Sequence, residues 1–539
     1  MIEAERTATV DRAQNTEFVP PKSHDMSQYP SGLGELLLAV AFLVLGFLFW
    51  EWGLLSNAGG GIGGFLFFTL GAAVSFAYLR WQGVRQTPTS WLALAIVLLG
   101  ALPFLLYDQR DISILNVGFE ICACLVWLAI SCKTTISARL DGFLAGDLFC
   151  QAIIVPFANF ATLFSSLRRG AGSTSASSQE HAPQASVSTR PQHLKSLLIL
   201  LAGVAVSLPL IVFVVLMLTM ADDGFAGFIS SLGAGIDLER PFTYLFKFAF
   251  GIPVACYIFG AVFGNARRRH ANTISLEQAN TVLSAAHRLP RLALYGPLLL
   301  LAVVYAAFFI SMGAYLFSAF GGELPASYTY AQYARQGFFE LTAVAAINLM
   351  LLAFAYLFGQ RAAGEYPGFL RMLTGVISLF TCLLVLTAAS KMLLYIGSYG
   401  LTRLRVYTTW FMLFLLLVFV VLLIWHLRPF NAGKPLVIIT VVCALCLFLV
   451  NTDGLIARYN VQRYLDGQAQ TIDVPALAYL SDAALPALHD LRDQTPDTQV
   501  REQAEQAIAY HRESVRGMLE DPAEQSAYYN WNLQTFLAD

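Results

Sequence analysis

Charged residues are scarce in this sequence. Only 13% of its 539 residues are Asp, Glu, Lys or Arg, and its mean hydropathy is +0.61. A soluble protein of ordinary composition carries about 25% charged residues. The shortage therefore excludes a soluble catalytic domain of ordinary size.

Motifs that mark common enzyme classes are also missing. The sequence has no phosphate-binding loop, no G-x-S-x-G nucleophile turn and no H-E-x-x-H zinc motif, and its eight histidines are scattered. Residues 59–64 (GGGIGG) match a dinucleotide-binding pattern, but no strand precedes them, so they indicate close helix packing. We therefore predict no catalytic residue, no metal, no cofactor and no nucleic-acid partner.

Cysteine is absent from both polar ends of the chain. All eight cysteines lie in or beside apolar segments, which excludes the disulfide framework of a small secreted protein. Cys443 and Cys446 match C-x-x-C inside an apolar run, and we interpret them as helix-packing residues. A cleavable signal sequence is not predicted either, because no basic start leads into a short apolar core.

Long apolar runs are abundant. Residues 410–425 read WFMLFLLLVFVVLLIW, and similar runs recur about eleven times between residues 33 and 451. In lipid only helices and closed barrels satisfy their backbone hydrogen bonds, and a helical span needs roughly 20 mostly apolar residues. The sequence predicts an all-α integral membrane protein with spans at 33–50, 59–79, 90–107, 112–131, 194–220, 241–264, 292–318, 337–358, 370–396, 408–427 and 434–451.

The runs form two blocks with polar segments around them. We predict a flexible cytoplasmic tail at 1–32, a first transmembrane block at 33–166, a flexible cytoplasmic linker at 167–193, a second block at 194–451 and a small acidic helical module at 452–539. The apolar stretch 140–166 contains Asp141, Asp147 and Pro156, which favours a re-entrant or interfacial helix. If it spans instead, the first four helices invert.

The distribution of Lys and Arg predicts the orientation. Loops on one side of the predicted spans hold seventeen of these residues, and loops on the other side hold five. The positive-inside rule places the richer side in the cytoplasm. We expect a bacterial inner-membrane protein with a cytoplasmic N-terminus and an extracytoplasmic C-terminus.

Four ionisable residues inside predicted spans are the main indication of function: Glu120, Lys247, Glu340 and Lys391. Each costs about 2.5–3.5 kcal/mol at mid-membrane on insertion scales. Helix rise places three of them roughly 5–10 Å, and Glu120 roughly 12 Å, below the outer surface. They form a ligand or ion site, or alternatively they pair structurally between helices or extend to the headgroups.

Arg403 and Arg405 form a second candidate feature. Both lie on the predicted outer side, between Tyr399 and Tyr407, and Arg suits bidentate capture of phosphate or carboxylate. One hypothesis is a mouth for an anionic lipid headgroup or envelope precursor. The alternative is that the two arginines pair with the acidic C-terminal module.

Three boxes resemble an uncharacterised family of bacterial multi-pass membrane proteins, known only as a domain of unknown function. They are residues 329–341 (TYAQYARQGFFEL), 399–407 (YGLTRLRVY) and 455–464 (LIARYNVQRY). The resemblance covers roughly residues 190 to 490. It implies the membrane class and no particular activity.

We carry three functional hypotheses from the sequence. The leading one is transport of a small or amphiphilic anionic substrate through an outer-leaflet polar site, with membrane lipids as surroundings. The rival is a scaffold or sensor subunit whose C-terminal module binds an envelope protein. A third hypothesis is an intramembrane enzyme acting on a lipid-linked substrate.

Overall fold

The computed structural model describes residues 33–54, 61–107, 110–136, 144–173, 239–271, 274, 276–287, 289–318, 338–359, 367–428, 430–520 and 532–533. The predicted tail 1–32 and the predicted span 194–220 lie outside these residues, as do most of the linker 167–193 and most of the box 329–341. The described residues form helices and no β-strand, in agreement with the predicted all-α class.

Eighteen α-helices make up the described part of the chain. They are α1 (Leu33–Glu51), α2 (Gly61–Trp81), α3 (Pro88–Leu106), α4 (Arg110–Cys132), α5 (Leu144–Phe149), α6 (Val155–Ala158), α7 (Thr162–Ser173), α8 (Glu239–Ala266), α9 (Leu276–Ala286), α10 (Arg291–Ser318), α11 (Phe338–Phe358), α12 (Gly368–Tyr399), α13 (Arg403–Leu427), α14 (Gly433–Leu449), α15 (Thr452–Leu465), α16 (Val474–Ala478), α17 (Leu485–Gln494) and α18 (Thr498–Glu520).

Nine of these helices, α1 to α4, α8 and α10 to α13, are long and apolar enough to cross a membrane. Two bent segments raise the count for the described residues to eleven if each is one span. One joins α5 and α6 to α7 with a bend of 42°, and the other joins α14 to α15 with a bend of 64°. The described residues thus contain nine to eleven candidate spans, which agrees with the predicted multi-pass helical class.

Helices α1 and α8 pack closely along their length. Gly46 and Gly251 meet at the crossing, where an added Cβ at Gly46 would collide with the Gly251 carbonyl oxygen. Ion pairs close both ends: Arg267 to Glu35 at 2.7 Å, and Lys247 to Glu51 at 3.0 Å. Because each pair joins the start of one helix to the end of the other, α1 and α8 are antiparallel.

Two apolar cores organise the spans. The first lies among α1 to α4 and α8, around Phe42, Trp127 and Phe259. The second lies among α10 to α13, around Ile377 of the long helix α12. Helix α14 connects the two, because its Leu447 and Phe448 pack with Ile112 of α4. Much of α13, the apolar run noted in the sequence, has exposed side chains such as Leu413 and Ile424, as expected of a lipid-facing helix.

The bent segment 144–168 contacts the ends of α4 and α8. A π-helical turn at Cys150–Ile154 places Gln151 beside Asn265, whose Nδ2 donates to the Gln151 Oε1 at 2.7 Å. Thr134, just past α4, donates to the Asn265 Oδ1. At the bend itself, Asn159 donates to the Arg269 carbonyl oxygen at 2.9 Å. The first arm and the bend of the segment are therefore held near the same end of α8.

The described C-terminal helices α15 to α18 pack on one another, and we call them the module. Three of these helices have a polar N-cap residue whose side chain accepts a backbone N–H of the first turn. The caps are Asn451 before α15, Asp473 before α16 and Asp497 before α18. Leu477, Leu488 and other apolar residues of these helices share a separate core. The bend at Asn451 turns α15 away from α14, so the last helices pack on one another rather than among the spans.

Candidate functional site

Lys247 is paired with a residue outside the predicted set. Its Nζ lies 3.0 Å from the Glu51 Oε2, and both side chains are partly exposed. The Lys247 ammonium also lies 5.7 Å from the centre of the Tyr244 ring. This ion pair between α1 and α8 fits the structural alternative, and it does not bring Lys247 to Glu120 or Glu340.

Glu340 and Lys391 come from neighbouring helices of the second core. Glu340 is exposed in the first turn of α11, whereas Lys391 on α12 is 1% exposed. The Glu340 carboxylate is close enough to act electrostatically on the Lys391 ammonium. That these two residues neutralise one another stays a prediction.

Arg403 joins three helices through two carboxylates. Its Nε and one terminal nitrogen donate to the Asp453 oxygens of α15 at 2.7 and 2.6 Å, and its other terminal nitrogen lies 3.3 Å from Asp111 of α4. Asp453 also accepts the Ser481 backbone N–H at 2.8 Å. We call Asp111, Arg403 and Asp453 the Arg403 junction. It fits the alternative in which Arg403 pairs with the acidic module.

Arg405 is held by the end of α12. It donates to the carbonyl oxygens of Tyr399 and Gly400 at 3.0 and 2.6 Å, and it lies 4.0 Å over the Tyr395 ring. Carbonyls at a helix C-terminus lack intrahelical donors, so a guanidinium is well placed there. Both arginines of the predicted anion mouth thus have intramolecular partners.

The second and third family-like boxes interlock at the same place. Asn460 accepts the Leu401 N–H at 2.8 Å and donates to the Leu401 carbonyl oxygen at 2.9 Å. Gly400, which directly precedes Leu401, has a positive φ of 78°. A Cβ at Gly400 would collide with the Asn460 side chain. Only glycine fits this turn without strain. The boxes therefore build a rigid connection between the spans and the module.

Glu120 has a different environment. It is 0% exposed near the middle of α4, and neither carboxylate oxygen has a hydrogen-bond partner among the described residues. A Cβ added at Gly100 of α3 would collide with the Glu120 Oε1, so the carboxylate occupies space that glycine leaves open. Ten residues separate Glu120 from the start of α4, a depth of roughly 15 Å.

Asn116 is a site residue that the sequence analysis missed. It is 3% exposed, and its Oδ1 also lacks a donor among the described residues. It precedes Glu120 by four residues, which places both on one face of α4. That spacing is visible in the sequence, but a buried and unpaired amide oxygen is not.

Metal centres built from the usual side chains are not found in the described part of the chain. No group of three or more His, Cys, Asp or Glu residues there could hold a metal ion. The buried oxygens near Glu120 come instead from one carboxylate and one amide.

Comparison with known proteins gives one finding. Residues 93–491 match the model of a family described as a domain of unknown function (DUF4153). The chain belongs to this family. The DUF4153 region starts well before residue 190, where the boxes had suggested its beginning, and it includes Gly100, Asn116 and Glu120. Neither the curated proteins nor the solved structures give a match.

Proposed function

We propose that this protein is a membrane transporter in which Glu120 binds a small cation that is carried across or drives transport. The observation that carries the proposal is the Glu120 carboxylate, buried in the middle of a span without a donor among the described residues. Ionisable groups inside membranes are costly, and they commonly mark ion or proton pathways. A purely structural acid would be expected to have a partner.

An anionic substrate stays in the proposal with a smaller set of residues. Lys391 remains a candidate substrate contact because it is a buried cation in the second core. Glu340 remains one because it acts electrostatically on Lys391. Arg403 and Arg405 are better assigned to the connection between spans and module, since their guanidinium groups already bind carboxylates and carbonyls. A cation that accompanies an anion also reduces the net charge that crosses the membrane.

Ion flux in vesicles tests this function. The purified protein is reconstituted in phosphatidylethanolamine–phosphatidylglycerol vesicles, and entry of protons and of radioactive sodium is followed under an inside-negative potential. We expect the wild type to exceed protein-free vesicles for at least one ion and Glu120→Gln to fall to the protein-free rate. Glu277→Gln, an exposed carboxylate on α9, is the control and should keep the wild-type rate. Equal rates for wild type and Glu120→Gln would reject the proposal.

We propose the following topology for this transporter. Because α1 and α8 are antiparallel, an even number of crossings separates them, and α2, α3 and α4 supply three. The contacts of segment 144–168 near one end of α8 favour a re-entrant segment, as predicted. The stretch 194–220, outside the described residues, then remains the predicted fourth crossing.

Cysteine labelling tests the orientation that goes with this topology. Ser398 is exposed at the end of α12, on the side that we propose is extracytoplasmic. We expect Ser398→Cys to react with a membrane-impermeant maleimide in intact cells, in addition to any reaction of the native cysteines. Lys434→Cys, at the start of α14, should react only after lysis. The reverse pattern would overturn the orientation.

The scaffold hypothesis has its own supporting observation. The module has a separate apolar core and is fixed to the spans through the Arg403 junction. Two variants distinguish the scaffold from the transporter. Deletion of 468–539 would abolish partner binding by a scaffold, whereas Glu120→Gln would leave that binding unchanged.

A further inference from the structure

Two turns beyond Glu120, α4 carries one buried, unpaired donor, the Nε1 of Trp127. Within one helical turn of Glu120, the unpaired side-chain nitrogen and oxygen atoms of α4 are all acceptors. They are the two carboxylate oxygens of Glu120 and the Oδ1 of Asn116, one helical turn away. Acceptors without donors repel an anion and are satisfied by a cation or by added N–H or O–H groups. The chemistry of the site therefore points to a positively charged ligand.

Helix α3 adds a further oxygen close by. Pro103 lies inside α3 and has no N–H, so the carbonyl of Leu99 loses the donor that a regular α-helix would provide. Leu99 is the residue before Gly100, whose missing side chain admits the Glu120 carboxylate. Backbone carbonyls freed at helix interruptions are recurrent cation ligands in transporters.

Charge and size narrow the identity of the cation. One carboxylate among neutral oxygens balances a single positive charge, whereas a divalent ion would leave the buried site charged. Oxygen ligands are those that hard cations prefer. The space is narrow, since the Phe119 ring also lies 3.0 Å from the Cβ that Gly100 lacks. A small monovalent ion fits these conditions.

We propose that Glu120, Asn116 and the Leu99 carbonyl form a binding site for a dehydrated sodium ion between α3 and α4. This inference rests on the proposed function and names its cation. In this proposal the sodium ion is shared among the oxygens of all three residues. A proton on Glu120 would supply one O–H and so satisfy only one of the other acceptors.

Thermal stability of the purified full-length protein tests the site. Unfolding exposes buried cysteines such as Cys132 and Cys256, so a fluorogenic maleimide reports the melting temperature. Sodium, potassium and choline chloride are compared at equal ionic strength and pH. We expect sodium alone to raise the melting temperature, because a ligand that binds only the folded state stabilises it.

Variants assign the effect to the proposed ligands. Asn116→Leu and Pro103→Ala should each raise the half-saturating sodium concentration by about tenfold or more, and Glu120→Gln should abolish the sodium response. Asn348 provides a matched control because it is a buried amide whose two groups are already bonded to Tyr305 and Thr381. Asn348→Leu should lower the melting temperature and leave the sodium response unchanged.

The possible failures are distinguishable. Equal effects of the three salts, or a full sodium response in Asn116→Leu, would overturn the sodium site. If acidification stabilises the wild type but not Glu120→Gln while sodium does nothing, the cation is a proton, and only the sodium inference fails. If Glu120→Gln also leaves both ion fluxes at the wild-type rate, the transport proposal fails as well.

Discussion

Replacing Glu120 with Gln is expected to raise the melting temperature of the purified, sodium-free protein while abolishing its cation flux. Both Glu120 oxygens are buried without donors, and so is the Asn116 Oδ1. The amide of Gln removes the ionisable group and supplies two N–H donors within one helical turn of the unpaired Asn116 Oδ1. Since a buried unsatisfied polar group costs about 1–3 kcal/mol, we expect a stabilisation of similar size.

Two further variants make this expectation specific. Glu120→Leu removes the carboxylate without adding a donor, so it should stabilise less than Glu120→Gln does. Glu277→Gln changes an exposed carboxylate on α9 and should leave the melting temperature unchanged. The readout is the maleimide melting assay in choline chloride. A lower melting temperature for Glu120→Gln would identify Glu120 as a structural tie and remove the main support for transport.

Opposite effects on stability and flux separate function from folding. A residue that holds helices together loses stability when it is replaced. A residue kept for binding leaves the apo protein with an uncompensated group, and its replacement relieves that cost. The same comparison applied to Glu35, which is paired with Arg267 at 2.7 Å, should give loss of stability only.

The membrane architecture could be predicted from the sequence because it depends on apolar length alone. The runs around 33–50 and 408–427 correspond to α1 and α13 within a few residues. The bend after α14 was not predicted, because the run at 434–451 looks like a whole span. This run ends at Asn451, whose Oδ1 accepts the Gly454 backbone N–H and so caps the start of α15. A polar N-cap residue at the end of an apolar run is the local signal of that bend.

The choice of partners among charged residues could not be predicted. Lys247 pairs with Glu51, which lies 196 positions earlier in the chain, and Arg403 binds Asp453 across 50 positions. Such pairings follow from the tertiary packing of helices, which one sequence does not define. Glu120 could be selected because mid-span depth follows from helix rise alone. Its Asn116 neighbour follows from the spacing of four residues, and the freed Leu99 carbonyl follows from Pro103.

Replacing Arg403 with Met is expected to loosen the C-terminal module from the spans. Arg403 binds both Asp453 oxygens and also contacts Asp111, so it connects α13, α15 and α4. The Asp453 side chain is 8% exposed and would be left as a nearly buried, unpaired charge. Removing one partner of a buried pair costs about 3–5 kcal/mol. Arg403 is one-third exposed, so solvent reduces the expected loss to about 2–4 kcal/mol.

Two measurements check this result. The maleimide assay should show a lower melting temperature, and hydrogen exchange should rise in α16 and α17, because Asp453 also holds the Ser481 N–H just before α17. Arg492→Met serves as the control. It breaks an exposed pair with the adjacent Asp493 and should change neither measurement.

A double variant distinguishes a stranded charge from lost packing. Asp453→Asn keeps an acceptor for Ser481 and removes the charge that Arg403 neutralises. If the unpaired carboxylate causes the loss, Arg403→Met with Asp453→Asn should be more stable than Arg403→Met alone. If the double variant is as unstable as Arg403→Met, Arg403 stabilises the module through its packing. The carboxylates of Asp111 and Asp453 then do not hold the module on the spans. Because Asp111 lies in the first turn of the helix that carries Asn116 and Glu120, a true junction also connects the module to the cation site. In that case Arg403→Met should reduce cation flux, and the double variant should partly restore it.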